Sequence, residues 1–191
     1  MKLAHEFPAM CLDPDTLLNK VNKVSKFMSN LNKMAAEQEG NGNGWSADDY
    51  KGAGFEALVE CLFRTNETDK RLNVTEYVPN AEEDMGIDGF GYTNSLKNRK
   101  RVTVQAKYRS DVTQDLTTKD GISNFVANTK CNEDTKDADM IIVTTARGVN
   151  IAITERMYKD AVRVVAYKGL CELLDDNPAF WNTFRKALTE R

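Results

Sequence analysis

Residues 84–109, DMGIDGFGYTNSLKNRKRVTVQAKYR, constrain the fold more than any other stretch of the chain. The second half alternates strictly. Val102, Val104, Ala106 and Tyr108 share one face of a strand, and Thr103, Gln105, Lys107 and Arg109 share the other. Upstream, the glycine-bounded run Gly86-Ile87-Asp88-Gly89-Phe90-Gly91 reads as a shorter strand. The polar and basic residues 93–100 read as the hairpin tip between the two. Pairing these strands brings Asp88 toward Gln105 and Lys107 on one polar face, where an acid, an amide and an amine form a candidate metal and phosphate site. The simpler reading is a half-buried strand whose polar face lies in water. Two features favour the site: Lys107 sits mid-strand between Ala106 and Tyr108, and the glycines around Asp88 admit other groups close to the backbone.

Ahead of this hairpin, Phe55, Leu58, Val59 and Leu62 form the apolar stripe of a helix ending near Arg64. Glu56 and Glu60 lie four apart on it, so both carboxylates point the same way, and spacing alone does not separate them. The ordered set GFE (Gly54-Phe55-Glu56), GIDG (Gly86-Ile87-Asp88-Gly89) and QAK (Gln105-Ala106-Lys107) resembles the Mrr-like branch of the PD-(D/E)XK nucleases, in its QxK variant. Ile87 stands where the family name has proline, and Gln105 replaces the acidic residue, which leaves one fewer carboxylate for a metal. The resemblance covers roughly residues 45–191.

The resemblance implies an α/β fold with a restriction-endonuclease-like core, a mixed central β-sheet flanked by helices. It implies a Mg2+-dependent endodeoxyribonuclease, with Mn2+ as a second cation, acting in restriction, homing or replication-linked cleavage. Asp88 would be the indispensable metal ligand. The side-chain carbonyl of Gln105, the backbone carbonyl of Ala106 and Glu56 would complete the set, Glu56 being chosen over Glu60 because it fills the family's F-E slot. Magnesium prefers oxygen ligands and keeps several waters, so few protein groups suffice. Lys107 would stand near the scissile phosphate; neighbouring carboxylates hold an ammonium charged, which suits charge stabilisation better than base catalysis. The alternatives are a catalytically inactive DNA-binding module of the same fold, and an assembly protein working through its N-terminal helix.

A chain of 191 residues suits one domain of ordinary size with an appendage, here residues 1–44 ahead of a nuclease domain at 45–191. No apolar run approaches membrane-spanning length, and the first residues lack a signal peptide's apolar core. Cys11, Cys61, Cys131 and Cys171 are scattered without CxxC spacing, which argues for reduced thiols in a cytoplasmic compartment. With His5 the single histidine, His-based triads and zinc sites are close to excluded. The formal net charge is −3, so a nucleic-acid partner needs patterned positive charge. Lys97, Arg99, Lys100 and Arg101 cluster on the hairpin, with Lys107 and Arg109 continuing the line toward a DNA partner.

The remaining segments fill in the expected layers. Residues 16–36 read as one helix with four lysines, no acid and a seam of Leu17, Val21, Val24, Met28, Leu31 and Ala35. That seam either packs on the main domain, the preferred reading, or forms a homodimer; the lysine face is a further DNA contact. Gly40-Asn41-Gly42-Asn43-Gly44 reads as a joint, and Gly52 and Gly54 as interruptions of the helix that follows. Strands are expected at 72–78, 138–145 (apolar, hence covered on both faces) and 162–167. Helices are expected at 121–128, 152–161, 169–174 and 178–188, the last burying Phe180, Trp181 and Phe184. Glu82, Glu83 and Asp84 read as surface charges beside the site.

Overall fold

The computed structural model describes residues 3, 13–40, 46–80, 86–95, 97–150 and 162–190. In chain order the elements are α1 (Pro14–Leu17), α2 (Val24–Gly40), α3 (Ala47–Thr65), β1 (Thr75–Pro79), β2 (Gly89–Tyr92) and β3 (Arg101–Lys107). Then come β4 (Asp115–Leu116), α4 (Ile122–Cys131), β5 (Asp139–Thr144), β6 (Gly148–Val149), β7 (Val162–Val165), α5 (Tyr167–Leu174) and α6 (Pro178–Thr189). The 40–44 joint and the expected 152–161 helix fall wholly or largely outside the described residues, as do Glu82, Glu83 and Asp84. Among the described residues, no helix is long and apolar enough to cross a membrane.

A five-stranded mixed sheet in the order β1-β2-β3-β5-β7 forms the centre, as the sequence implies, and β4 pairs with β6 in a small separate ladder. The hairpin sets the register: β2 and β3 are antiparallel, with Gly89 opposite Val104 and Tyr92 opposite Arg101. From β3 onward the sheet is parallel, through β5 and then β7. A parallel neighbour requires a crossover, and α4 lies on the one between β3 and β5. Both faces are therefore covered. Val102, Val104, Ala106 and Tyr108 pack with the apolar residues of α2, α3, α5 and α6. Ile122, Phe125 and Val126 of α4 pack with Ile87, Leu116, Met140 and Ile142 on the other side. In β5, Ile141 and Val143 enter the first core while Met140 and Ile142 enter the second, which is why that strand is apolar throughout.

The polar face of β3 does not lie in water. Thr103 and Gln105 are 0% and 1% exposed, because α4 covers them. Thr103 is satisfied there by a hydroxyl–hydroxyl bond to Thr129 (3.2 Å). Burying such groups is tolerable only when they find partners, so the environment of Gln105 has to be functional or compensated.

The N-terminal helix is two pieces. α1 ends at Leu17, and Lys20 three residues on adopts a left-handed backbone conformation (φ 53°) that re-aims the chain. Side chains from elsewhere satisfy the turn: Arg185 donates to Leu18 O (2.6 Å) and Asn30 donates to Leu17 O (2.9 Å). Asp175 then accepts from Val24 N (2.8 Å), capping α2 from across the chain. The seam residues Leu17, Val24, Met28, Leu31 and Ala35 are buried in the main core, with Phe27 against Trp181 and Phe184. The seam is thus used within one chain, and Lys23, Lys26 and Lys33 are left on the surface.

Gly52 and Gly54 do not interrupt α3, which runs unbroken from Ala47 to Thr65 behind the Ser46 cap. At Gly54 the reason is packing: a Cβ would stand 2.5 Å from Leu31 Cδ1, so the glycine lets α2 and α3 approach. In the sheet, Gly89 plays the same part for Tyr77 of β1, whose ring lies across it; a Cβ there would meet Tyr77 Cε2 at 2.5 Å. Tyr77 is fixed from behind by stacking on Phe63 at 5.1 Å. Because the ring cannot retreat, Gly89→Ala should destabilise the fold by about 2 kcal/mol, as overpacking does. Urea denaturation of the two proteins checks this.

Candidate active site

Asp88 sits one residue before β2, where the ladder to β3 runs out. Its N–H donates to Val104 O (2.8 Å), and its carbonyl accepts from Asn80 N (3.0 Å) and from the Tyr77 hydroxyl (3.3 Å). The Asn80 side chain also donates to Ile87 O (2.9 Å). The main chain around Asp88 is therefore held from both sides. Beyond Gly89 no β2 residue remains to pair with Ala106, and the Asp88 carboxylate takes that role: Oδ2 accepts from Ala106 N at 2.6 Å. Gly86, with φ 63°, makes the turn that delivers the chain to this point.

Gln105, on the adjoining β3 position, donates through Nε2 to Gly86 O (3.0 Å). Its Oε1 is buried and has no hydrogen-bond donor among the described residues. An amide oxygen in this condition is costly unless a donor or a cation meets it. Lys107 ends β3. Its carbonyl is tied to β5 by the Thr144 hydroxyl (2.7 Å), and its ammonium lies toward Gly121, where a Cβ would come 3.9 Å from Nζ.

Glu56 is brought to the same locus from α3. Burial pushes its carboxyl up to about 8; the charge of Asp88 adds to the rise and Lys107 opposes it. Asp88 is raised to about 6, again mainly by burial, against the pull of the Ala106 N–H and of Lys107. Glu56, Asp88 and Lys107 are thus within electrostatic reach of one another where α3, β2 and β3 meet, and Gln105 adjoins Asp88 through its bond to Gly86. Glu60, which spacing alone leaves equivalent to Glu56, is fully buried and paired with Arg64 one turn on (2.7 Å). The helix itself neutralises the second carboxylate and leaves the first facing Asp88.

Among the described residues, no group of three or more His, Cys, Asp or Glu side chains could hold a metal ion. What the site offers instead is two carboxylates, the orphaned Gln105 Oε1 and the main chain at Ala106. That oxygen-only set fits a hard divalent cation that retains water. A cation there would relieve both the donor-less amide oxygen and the two acids whose charge burial disfavours.

The basic residues divide. Arg99 pairs with Glu76 (2.5 Å) and lies over the Tyr92 ring at 4.1 Å; Lys100 pairs with Asp139 (3.7 Å); Arg101 lies over the Phe90 ring at 4.8 Å. Lys97 is exposed. Arg101 opens β3, roughly 20 Å from Lys107 by strand rise, and the other three lie in the turn before it. Arg109 follows β3 at the Asp88 end, where Asp120 holds its guanidinium and the Thr145 hydroxyl accepts its backbone N–H (2.6 Å). Tyr77 and Asn80, which fix the Asp88 backbone, were not among the residues the sequence singled out. The available signal was the pair Gly89 and Gly91, small residues that require large neighbours across the ladder: Tyr77 meets the first and Val74 the second.

No family model matches the chain, and no curated protein matches it. Among solved structures it is similar to the restriction endonuclease MspJI in complex with a 27-mer oligonucleotide, with a TM-score of 0.47 and 15% sequence identity over 100% of this chain. The chain spans 40% of the length of that one.

The raised carboxyls make stability depend on pH with a definite sign. Below about pH 4.5 Glu56 is protonated in both folded and unfolded chains. As pH rises toward 8 the unfolded chain releases the proton while the folded chain keeps it, so stability falls through that window and stays lost above it. Without added metal, Glu56→Gln should raise the melting midpoint at pH 8.5 by roughly 5 °C and change it little at pH 4.5. Thermal denaturation at the two pH values measures this.

Proposed function

We propose that the chain is a metal-dependent endonuclease hydrolysing phosphodiester bonds in DNA, of the PD-(D/E)XK type and its Mrr-like branch. The observation that carries the reading is the buried, donor-less Gln105 Oε1 beside an Asp88 carboxylate that is fixed by Ala106 N, with Glu56 and Lys107 electrostatically coupled to it. Asp88, Glu56, Gln105 and the Ala106 carbonyl would hold Mg2+ or Mn2+. The cation, when bound, neutralises phosphate charge and makes water a better nucleophile. Lys107 supplies a fixed positive charge where the scissile phosphate gathers negative charge. Asn80 and Tyr77 keep Asp88 in place while the phosphate arrives.

DNA as the substrate follows from the resemblance. Lys97, Arg99, Lys100 and Arg101 would contact flanking phosphates, about six nucleotides away by strand spacing. An acidic chain needs such local positive surfaces to hold a polyanion.

Asp88→Ala should reduce Mg2+-dependent cleavage of plasmid DNA by at least about 1,000-fold with the fold retained, and near wild-type cleavage would refute the assignment. The cation and the proton compete for Glu56, so the Mg2+ concentration giving half-maximal rate should fall as pH rises from 6 to 8. Glu56→Gln should raise that concentration and flatten its pH dependence.

Replacing Arg99, Lys100 and Arg101 together with Ala should flatten the slope of log affinity against log salt by about two to three, since each phosphate left without its cation lowers the slope by roughly 0.9. Turnover at saturating DNA should change much less. Filter binding at several salt concentrations, paired with cleavage rates, tests both statements.

A further inference from the structure

Two glycines lie two residues apart in α3, and only one of them is explained by the fold. Gly54 makes room for Leu31. At Gly52 a Cβ would meet nothing within 4 Å among the described residues, and its backbone is not among those with positive φ. Neither packing nor conformation asks for glycine there, and glycine is the poorest helix former after proline. The position is nevertheless half-buried.

Its neighbours place it beside Glu56. Gly52 is four residues before Glu56, so it shares that helix face and lies one turn nearer the N-terminus. Glu56 in turn lies within electrostatic reach of Asp88 and Lys107. On the outer side stand two cations. Lys51 is paired with Asp48 at 2.6 Å, and Arg109 is within electrostatic reach of the same Asp48. A turn of helix with no side chain at Gly52 thus lies between Glu56 and the Lys51–Asp48 pair, with Arg109, itself held by Asp120, nearby.

We infer that this turn of α3 is the surface over which the substrate's phosphodiester strand passes, in contact with the helix backbone at Gly52, on its way to Asp88 and Lys107. The inference rests on the endonuclease reading and adds a substrate-positioning residue to it. Any side chain at this position occupies the path of the strand. Glycine there costs helix stability, and the packing of the described residues leaves room for a larger side chain.

Gly52→Ala and Gly52→Leu in the full chain test this. Removing a glycine from a helix interior should raise the melting midpoint of the Ala variant by about 3 °C, and the Leu variant should melt no lower than wild type. Affinity for a duplex oligonucleotide, measured with metal chelated, should fall about threefold for Ala and at least tenfold for Leu. With Mg2+, KM for DNA should rise in the same order while kcat changes less. A role confined to helix structure would move the melting midpoint and leave affinity untouched. A Leu variant that binds and cuts duplex as wild type does overturns the inference and leaves the endonuclease reading intact. Wild-type protein that binds duplex yet never cuts it overturns the endonuclease reading, while the affinity series still decides the role of Gly52. Absence of duplex binding by wild type overturns both.

Discussion

The hydrogen bond from Ala106 N to Asp88 Oδ2 is the interaction on which the rest of the structure turns. It stands where the antiparallel ladder between β2 and β3 ends, and it replaces a backbone acceptor with a carboxylate. One consequence is structural, because the ladder is prolonged by a side chain and β3 stays ordered to its last residue. The other is electrostatic. A carboxylate tied down beneath Glu56 and beside Lys107 cannot swing out into water, so its charge must be met inside the protein. Burial raises both acids, and the fold carries an electrostatic strain that a cation or a proton relieves.

The hairpin was legible in the sequence because its signals are local. Alternation over residues 102–109 fixed the faces of β3, and glycines bracketing Asp88 marked a place of close approach. The apolar run in β5 announced a strand covered on both sides. Other features depend on partners distant in the chain, and their signals were weak. Residues 16–36 carry an unbroken helical period, yet Lys20 turns left-handed because Arg185 and Asn30 supply partners for the freed carbonyls. Glu56 and Glu60 are equivalent by spacing, and a tertiary arrangement separates them, with Arg64 taking one and Asp88 facing the other. The polar face of β3 looked like a solvated face because nothing near it in sequence reveals that α4 will cover it.

Two glycines in α3 show how the same residue type can mislead. As helix breakers they predicted an interruption, and the helix runs through both. Burial of ten α3 residues outweighs two poor propensities. Propensity is a small term, on the order of 1 kcal/mol per glycine, and a helix with one face in the core can absorb it twice. What glycine contributes there is proximity, to Leu31 at Gly54 and to open space at Gly52.

The two ends of the described chain are interlocked. Asp175 caps the amino end of α2, the Asp176 N–H donates to Asn22 O (2.7 Å), and Arg185 of α6 grips the turn after α1. During synthesis the N-terminal helices emerge first, without the cap, the arginine or the aromatic wall of Phe180, Trp181 and Phe184. Their apolar stripe then has only α3 to lie against. The frame that carries Glu56 closes only once residues 175–185 are available to it, so assembly of the site waits on α5 and α6.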